Sequence, residues 1–357
     1  MISLDKPEEI LKFSKNDRMF ESIEKFGDQI NQSWNDSFNF MLPSDFSQAK
    51  SIVICGMGGS RLPGLIIKEL FKEEISVPFL INDDYHLPGF VNKETLLIAS
   101  SYSGTTEEVM VNVKIAKEKG AKILGVTSGG ELKEIARDLN FPCYVFNPIY
   151  NPSNQPRMGF GYILGAILGF MIKLGFLEIK KEGVEKNFSW IEKSARNFRL
   201  DLPESSNPAK QLARKLQGKF PTFIVAEFLN GAGNALANLT NETAKTYSEF
   251  RTIPELNHHL MEGLKHPEDQ KRLNLFLFLY SSLYSQAIQK RFEITKEVVE
   301  KNGIETLWYE LKGKTKIEQA LEVLSLGSFL TFYLSFLFQE DPVTIPFVDY
   351  FKKRLKE

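Results

Sequence analysis

The chain has 357 residues, more than one hydrophobic core usually serves, and this length favours two domains. Charged residues make up 25% of it but the formal net charge is only −1, which excludes nonspecific binding to nucleic acid or to an anionic membrane and favours a small ligand. The only cysteines, Cys55 and Cys143, lie in apolar runs and indicate neither a disulfide scaffold nor a thiolate metal site. The first residues lack the basic region and apolar stretch of a signal peptide, so we expect a cytoplasmic protein.

The opening segment, to about residue 46, is predicted to be helical because Ile23, Phe26, Ile30 and Trp34 recur at intervals of three and four residues. We expect it to pack around the first domain. After it, apolar runs alternate with helical stretches, which predicts parallel strands with right-handed crossovers in a doubly wound sheet. The predicted strands are 51–55, 77–81, 95–99, 123–126 and 143–146, and the predicted helices are 62–71, 107–119 and 132–139.

A polar, turn-rich stretch, residues 200–208, predicts a boundary, and Asn207 and Pro208 suit the cap and first turn of a new helix. The alternation then resumes with predicted strands 222–226, 275–280 and 305–311 and predicted helices 234–247, 284–302 and 316–338. We therefore expect an N-terminal helical extension (1–46), a first α/β domain (47–202) and a second (203–357). The uncharged stretches 158–172 and 323–339 are shorter than the roughly 20 residues of a membrane span, which favours buried or interface helices over membrane contact.

Two Gly/Ser/Thr loops each follow a predicted strand and precede a helix. They are Gly-Met-Gly-Gly-Ser at 56–60 and Ser-Tyr-Ser-Gly-Thr-Thr at 101–106. Because the carboxyl ends of neighbouring parallel strands meet at one edge of a sheet, the two loops are expected to form an anion cradle of amides, hydroxyls and helix N-termini. Taken alone, the first loop is also compatible with a structural turn.

Further motifs follow in a fixed order. They are Thr-Ser-Gly-Gly at 127–130, Gln-Pro-Arg at 155–157, Asn-Glu at 241–242 followed by Pro-Glu-Leu-Asn-His at 254–258, and a terminal segment bearing lysine. With the two loops, this series resembles the bifunctional phosphoglucose/phosphomannose isomerases, a branch of the sugar isomerase (SIS) domain superfamily, from about residue 51 to the C-terminus. The resemblance implies an α/β fold of two tandem SIS-type doubly wound parallel-sheet domains.

The resemblance implies that glucose 6-phosphate, and by extension mannose 6-phosphate, is interconverted with fructose 6-phosphate through an enediolate. Glu242 matches the base that moves the proton between C1 and C2, and Arg157 matches the arginine that stabilises the enediolate. His258 matches the ring-opening acid/base, and Lys352 the lysine that assists it, although the adjacent Lys353 leaves that assignment open. The positions that match the phosphate-binding residues are Gly59, Ser60, Ser101, Ser103 and Thr106.

The resemblance also implies a homodimer in which His258 is contributed across the interface, with no cofactor. We expect no metal site, because His86 and His266 stand alone and no Cys/His spacing suits zinc. Two other functions stay open: a non-catalytic sugar-phosphate sensor that needs only the cradle, and an isomerase of another phosphosugar, such as an aminosugar phosphate.

The chain departs from the family pattern at three places. His259-Leu260 replaces the usual Asn-Glu, residues 234–238 lack the usual Arg-x-Lys, and Arg61 replaces a small residue after the first loop. These changes are expected to alter the size or orientation of the substrate, and they leave the preference between the two epimers open.

Overall fold

The computed structural model describes residues 2–14, 16–355 and 357 and is an α/β protein. Three helices open the chain: α1 (Pro7–Lys12), α2 (Asn16–Glu24) and α3 (Phe26–Asn39). The elements of the first sheet follow: β1 (Ser51–Cys55), α4 (Leu62–Leu70), β2 (Phe79–Asn82), β3 (Thr95–Ser100), α5 (Glu107–Glu118), β4 (Lys122–Thr127), α6 (Gly130–Asp138) and β5 (Cys143–Val145). Two helices, α7 (Phe160–Lys173) and α8 (Lys181–Ala195), lead on to the second sheet.

The second part of the chain repeats this alternation. Its elements are α9 (Pro208–Leu216), β6 (Phe220–Ala226), α10 (Asn230–Thr243), β7 (Glu249–Ile253), α11 (Leu260–Gly263), α12 (Gln270–Leu273), β8 (Asn274–Tyr280), α13 (Gln286–Lys301), β9 (Glu305–Glu310), α14 (Lys316–Leu337) and α15 (Pro346–Arg354). Among the described residues the strand orders are β2-β1-β3-β4-β5 and β7-β6-β8-β9, with every neighbouring pair parallel. The second sheet therefore repeats the order of the first four strands of the first sheet, and the predicted fold class is confirmed.

Most predicted elements lie within two residues of the observed ones, but the helix predicted at 234–247 was misplaced. It begins at Asn230 and ends at Thr243, because the chain turns at Lys245, whose φ is +52°. Strand β7 was not predicted. It is a half-buried strand at the edge of the sheet, and the charged residues Glu249 and Arg251 interrupt its apolar pattern. Helix α8 was missed as well.

The apolar helices lie inside the protein, as the sequence predicts. Helix α3 packs along α7 so closely that a Cβ on Gly165 would collide with the carbonyl oxygen of Ile30. Helix α14 is the one described helix that is long and apolar enough to cross a membrane, and its apolar stretch is wholly buried against neighbours that include α2, α8, α9 and α10. Both apolar stretches are therefore accounted for by the core.

The predicted cap at the boundary is present. The side-chain oxygen of Asn207 accepts hydrogen bonds from the backbone N–H groups of Ala209 (3.0 Å) and Lys210 (3.2 Å), which begins α9. Of the two cysteines, Cys55 is buried, whereas Cys143 is only half-buried and so less enclosed than its apolar run predicts.

Equivalent turns follow β1 and β6, which hold the same place in the strand order of their sheets. After β1 and after β6 a short 3₁₀ turn leads into α4 and α10, and the first residue of each turn is left-handed: Gly58 (φ +49°) and Glu227 (φ +47°). The carboxylate of Glu227 accepts hydrogen bonds from the backbone N–H (3.3 Å) and the hydroxyl (2.7 Å) of Ser285, the residue before α13. The side chain of Glu227 thus occupies the N-terminal end of α13.

Candidate active site

The two Gly/Ser/Thr loops lie side by side at the carboxyl ends of β1 and β3. The hydroxyl of Ser60 accepts a hydrogen bond from the backbone N–H of Tyr102 (2.8 Å), and Ser100 donates to the carbonyl oxygen of Ser60 (2.8 Å). These bonds fix the loops against each other. The Ser60 hydroxyl keeps its own proton available for another acceptor.

The second loop orders its hydroxyls by contacts among themselves. The hydroxyls of Ser101 and Thr106 lie 2.8 Å apart, and Ser101 also accepts from the backbone N–H of Gly104 (3.1 Å). Thr106 precedes α5, yet its hydroxyl makes no capping bond to that helix. Ser103 is exposed and pairs with Thr105 at 3.0 Å. The start of α5 therefore keeps unpaired N–H groups, which favour an anion.

Gly59 brings the first loop against the Gln-Pro-Arg element. A Cβ at Gly59 would lie 3.1 Å from Cα of Arg157 and 3.2 Å from its backbone nitrogen. The absence of a side chain at this position therefore lets the turn that carries Arg157 lie directly beside the cradle.

The side chain of Arg157 is only 2% exposed and joins distant parts of the chain. Its guanidinium donates hydrogen bonds to the Gln155 amide oxygen (2.9 Å), the Thr243 hydroxyl (3.3 Å) and the carbonyl oxygens of Pro342 (2.6 Å) and Val343 (2.9 Å). Its Nη1 lies 3.8 Å from Oε2 of Glu242. The predicted base and the predicted enediolate-stabilising arginine are thus neighbours.

Glu242 lies in the last turn of α10 with about a third of its side chain exposed (33%). Burial raises the pKa of this carboxyl, and the positive charges of Arg157, Lys352 and Lys245 offset the effect only in part. The carboxylate is therefore a stronger base than an ordinary glutamate, which suits proton abstraction.

Of the two adjacent C-terminal lysines, Lys352 is the one whose charge lowers the pKa of Glu242. It lies on α15, a helix none of whose residues is buried. Large side chains of this helix are strongly exposed, above all Phe347 (87%), Tyr350 (62%) and Phe351 (60%).

His258 makes no direct polar contact with this cluster among the described residues. It is exposed in the short turn Glu255–His258 after β7, and among the described residues no hydrogen bond or ion pair joins it to Glu242 or Arg157. The turn itself is well supported, since Nε2 of His259 lies 2.7 Å from a carboxylate oxygen of Glu255 and Asn257 donates to Thr295 (2.7 Å). His259 thus has its own polar partner where the family usually has asparagine.

The other two departures from the family pattern meet in space. Arg61 pairs with Asp83 (2.8 Å) and donates to the amide oxygen of Asn234 on α10 (3.5 Å). Arg61 follows the first loop directly, so its guanidinium links the cradle edge of the first sheet to the helix that carries Glu242.

Lys245, to which the sequence analysis gave no role, also belongs to this site. Its ammonium group donates to the carbonyl oxygens of Glu242 (3.1 Å), Thr243 (3.3 Å) and Asp341 (2.6 Å). Its place shortly after the Asn-Glu motif, three residues beyond Glu242, was the one available signal. Across residues 2–14, 16–355 and 357, no group of three or more His, Cys, Asp or Glu side chains is arranged to hold a metal ion.

The fold and these loops define an SIS-domain protein. Residues 45–138 match the family model described as "SIS domain", and residues 205–355 match "Bacterial phospho-glucose isomerase C-terminal SIS domain". The bifunctional phosphoglucose/phosphomannose isomerase of Caldicellulosiruptor bescii is 30% identical over 346 residues, which cover 95% of this chain and 99% of that protein. The chain belongs to the bifunctional phosphoglucose/phosphomannose isomerase family.

Two further similarities were found. A D-glucosamine-6-phosphate 4-epimerase of Sulfolobus acidocaldarius is 28% identical over 65% of this chain and 71% of its own length. The crystal structure of a glucose-6-phosphate isomerase like protein from Thermus thermophilus superposes with a TM-score of 0.61, at 16% identity, over 96% of this chain and 98% of that one. This second similarity shows that the two proteins share a fold.

Proposed function

We propose that this chain is a sugar-phosphate isomerase that interconverts glucose 6-phosphate and mannose 6-phosphate with fructose 6-phosphate, without a metal ion. The observation that carries the proposal is the Glu242–Arg157 pair, with its 3.8 Å separation, next to a cradle of hydroxyls and amides. A phosphate sensor would need the cradle but not a carboxyl of raised basicity beside a buried guanidinium, and this pair therefore favours an enzyme.

In the proposed reaction the phosphate binds to Gly59, Ser60, Ser101, Ser103 and Thr106. Glu242 takes the proton from C2 of the open-chain aldose, the electron pair forms the C1–C2 double bond, and O1 gains the negative charge. The buried Arg157 guanidinium stabilises that charge. A proton moves from O2 to O1, and Glu242 returns its proton to C1, which leaves the ketone at C2.

Ring opening is assigned to His258 of a second copy, assisted by Lys352. Two observations support a homodimer with shared sites: His258 is exposed and makes no hydrogen bond or ion pair with Glu242, and α15 presents aromatic side chains to solvent beside the site. Exposed apolar surface of this kind is typical of an interface.

The activity is tested with purified protein and fructose 6-phosphate, with detection of both aldose products in the presence of a chelator. We expect conversion at an unchanged rate when the chelator is added. A parallel reaction with glucosamine 6-phosphate tests the alternative that the aminosugar relative suggests. Turnover of that compound alone would refute the proposed substrate class.

The shared site is tested by mixing two inactive variants, Glu242→Gln and His258→Ala, after dissociation and reassociation. If His258 acts across the interface, each mixed dimer has one intact site, and the mixture regains up to about one quarter of wild-type activity. If His258 acts within its own chain, no activity returns.

A further inference from the structure

Lys245 holds an unusual backbone position next to the proposed base. It follows the end of α10 by two residues and has a φ of +52°, in the left-handed region that non-glycine residues seldom adopt. A strained conformation persists only where the surroundings hold it, and such positions concentrate at functional sites. The surroundings of Lys245 are therefore informative.

The ammonium group of Lys245 caps α10 and reaches beyond it. Two of its bonds go to the carbonyl oxygens of Glu242 (3.1 Å) and Thr243 (3.3 Å), which end the helix and lack partners within it. A cation is favoured at this end of a helix. The shortest bond, 2.6 Å, goes instead to the carbonyl oxygen of Asp341, almost a hundred residues away in the chain.

Asp341 lies in the connection between α14 and α15, and we call residues 341–343 of this connection the 341–343 segment. Arg157 donates to the next two carbonyl oxygens of this segment, those of Pro342 (2.6 Å) and Val343 (2.9 Å). The Asp341 carboxylate, in turn, accepts from the backbone N–H of Val343 (2.7 Å). Three consecutive carbonyls of the segment are thus held by the two cations that lie beside Glu242.

We propose that Lys245 is a positioning residue for the reaction: by tying the end of α10 to the 341–343 segment, it fixes the base Glu242 relative to α15 and therefore relative to Lys352. This inference rests on the proposed isomerase function. Lys245 itself touches backbone carbonyls and needs no contact with the sugar phosphate.

The tie depends on the charge of Lys245. Burial and the neighbouring Arg157 lower the pKa of its ammonium group to about 8, while Asp341, Glu340 and Glu242 favour the charged form. Above this pH the neutral amine has one fewer proton to donate and no longer attracts the carbonyl dipoles as a cation. Activity that depends on the tie is expected to fall as the pH rises through about 8.

The test compares Lys245→Met and Lys245→Arg with wild type, and uses Lys173→Met as a matched control. Lys173 also donates to two backbone carbonyls, those of Phe38 (2.8 Å) and Phe40 (2.6 Å), but at an exposed position between α7 and the end of α3. Fructose 6-phosphate turnover is measured from pH 6 to pH 10 for each protein, with thermal unfolding as the check of folding.

We expect Lys245→Met to lower kcat by about 10- to 100-fold, the scale of a small displacement of reacting groups, with a much smaller change in KM. Lys245→Arg keeps a charge that does not titrate here, so it should recover part of kcat and retain activity above pH 9, where wild type loses it. Lys173→Met should match wild type in kcat and in its pH profile.

A folded Lys245→Met protein with wild-type kcat, or one with raised KM alone, would overturn the inference. If Lys245→Met does not fold, the alkaline limbs of Lys245→Arg and wild type decide, and identical limbs refute it. Failure of the proposed function is a separate result, because wild type itself would then turn over no fructose 6-phosphate.

Discussion

Replacing Glu242 by glutamine is expected to separate activity from stability. The amide keeps the shape of the side chain but cannot accept a proton from C2, so kcat should fall at least about a hundredfold. Arg157 keeps its hydrogen bonds to Gln155, Thr243 and the 341–343 segment, so the site should retain its structure. The folded protein should therefore stay intact while it loses activity.

The effect on stability follows from two opposing contributions. At the 3.8 Å separation from Arg157, Coulomb attraction in a medium of effective dielectric near 20 is about 4 kcal/mol. Burial nevertheless outweighs this attraction, because the pKa of Glu242 is raised in the folded protein. Since the side chain is partly exposed and screened, we expect Glu242→Gln to change the free energy of unfolding by less than about 1 kcal/mol at neutral pH, in the stabilising direction.

The sign of the pH dependence distinguishes this explanation from an ordinary salt bridge. Below the unfolded-state pKa of glutamate the carboxyl is neutral in both states and its burial costs nothing. The cost develops as the pH rises from the unfolded-state pKa to the raised folded-state pKa, and it is complete above the latter. Thermal unfolding of wild type and Glu242→Gln at pH 4 and pH 7.5 checks this, with kcat measured in parallel. A variant that is less stable than wild type only at pH 7.5, or one with wild-type kcat, would refute the reasoning.

Three further outcomes are expected. The acid limb of kcat/KM should lie above the ordinary glutamate pKa, because the proposed mechanism requires ionised Glu242; a pH series measures this. Arg157→Lys should lower kcat/KM by about 100-fold or more, since an ammonium group cannot reproduce the guanidinium contacts; steady-state kinetics tests it. Gly165→Ala should destabilise the protein by about 1–3 kcal/mol through collision with Ile30, whereas Gly183→Ala, on an open face of α8, should stabilise it by about 0.5–1 kcal/mol; urea unfolding compares the two.

Much of the fold could be predicted because its signals are local. The buried strands β1 and β3 are apolar throughout, and Asn207-Pro208 marks the start of α9 by side-chain chemistry alone. The end of α10 could not be predicted in this way. Lysine has a good intrinsic helix propensity. Lys245 nevertheless lies outside the helix, where its side chain bonds to Asp341, a residue that no local pattern contains.

The site was predictable only as separate motifs. The resemblance named Glu242, Arg157 and Lys352, but their mutual arrangement arises from long-range contacts, such as that between Gly59 and the backbone of Arg157. The contact between Arg61 and Asn234 could not be predicted either, because in the sequence each residue is only a separate departure from the family pattern. The roles assigned to Glu242, Arg157 and Lys352 stay predictions, as do those of His258 and of the phosphate-binding residues.

The turn at Glu227 shows how two halves of similar fold can differ in their access to an anion. An anion that approaches the start of α13 meets a carboxylate already hydrogen-bonded to Ser285, and like charge repels it. The matching position after β1 is Gly58, which brings no side chain and no charge. The turn after β1 is therefore accessible to an anion, whereas the matching turn after β6 is closed by a carboxylate of the protein itself. The second half of the molecule contributes α10 and the carboxyl group of Glu242 instead.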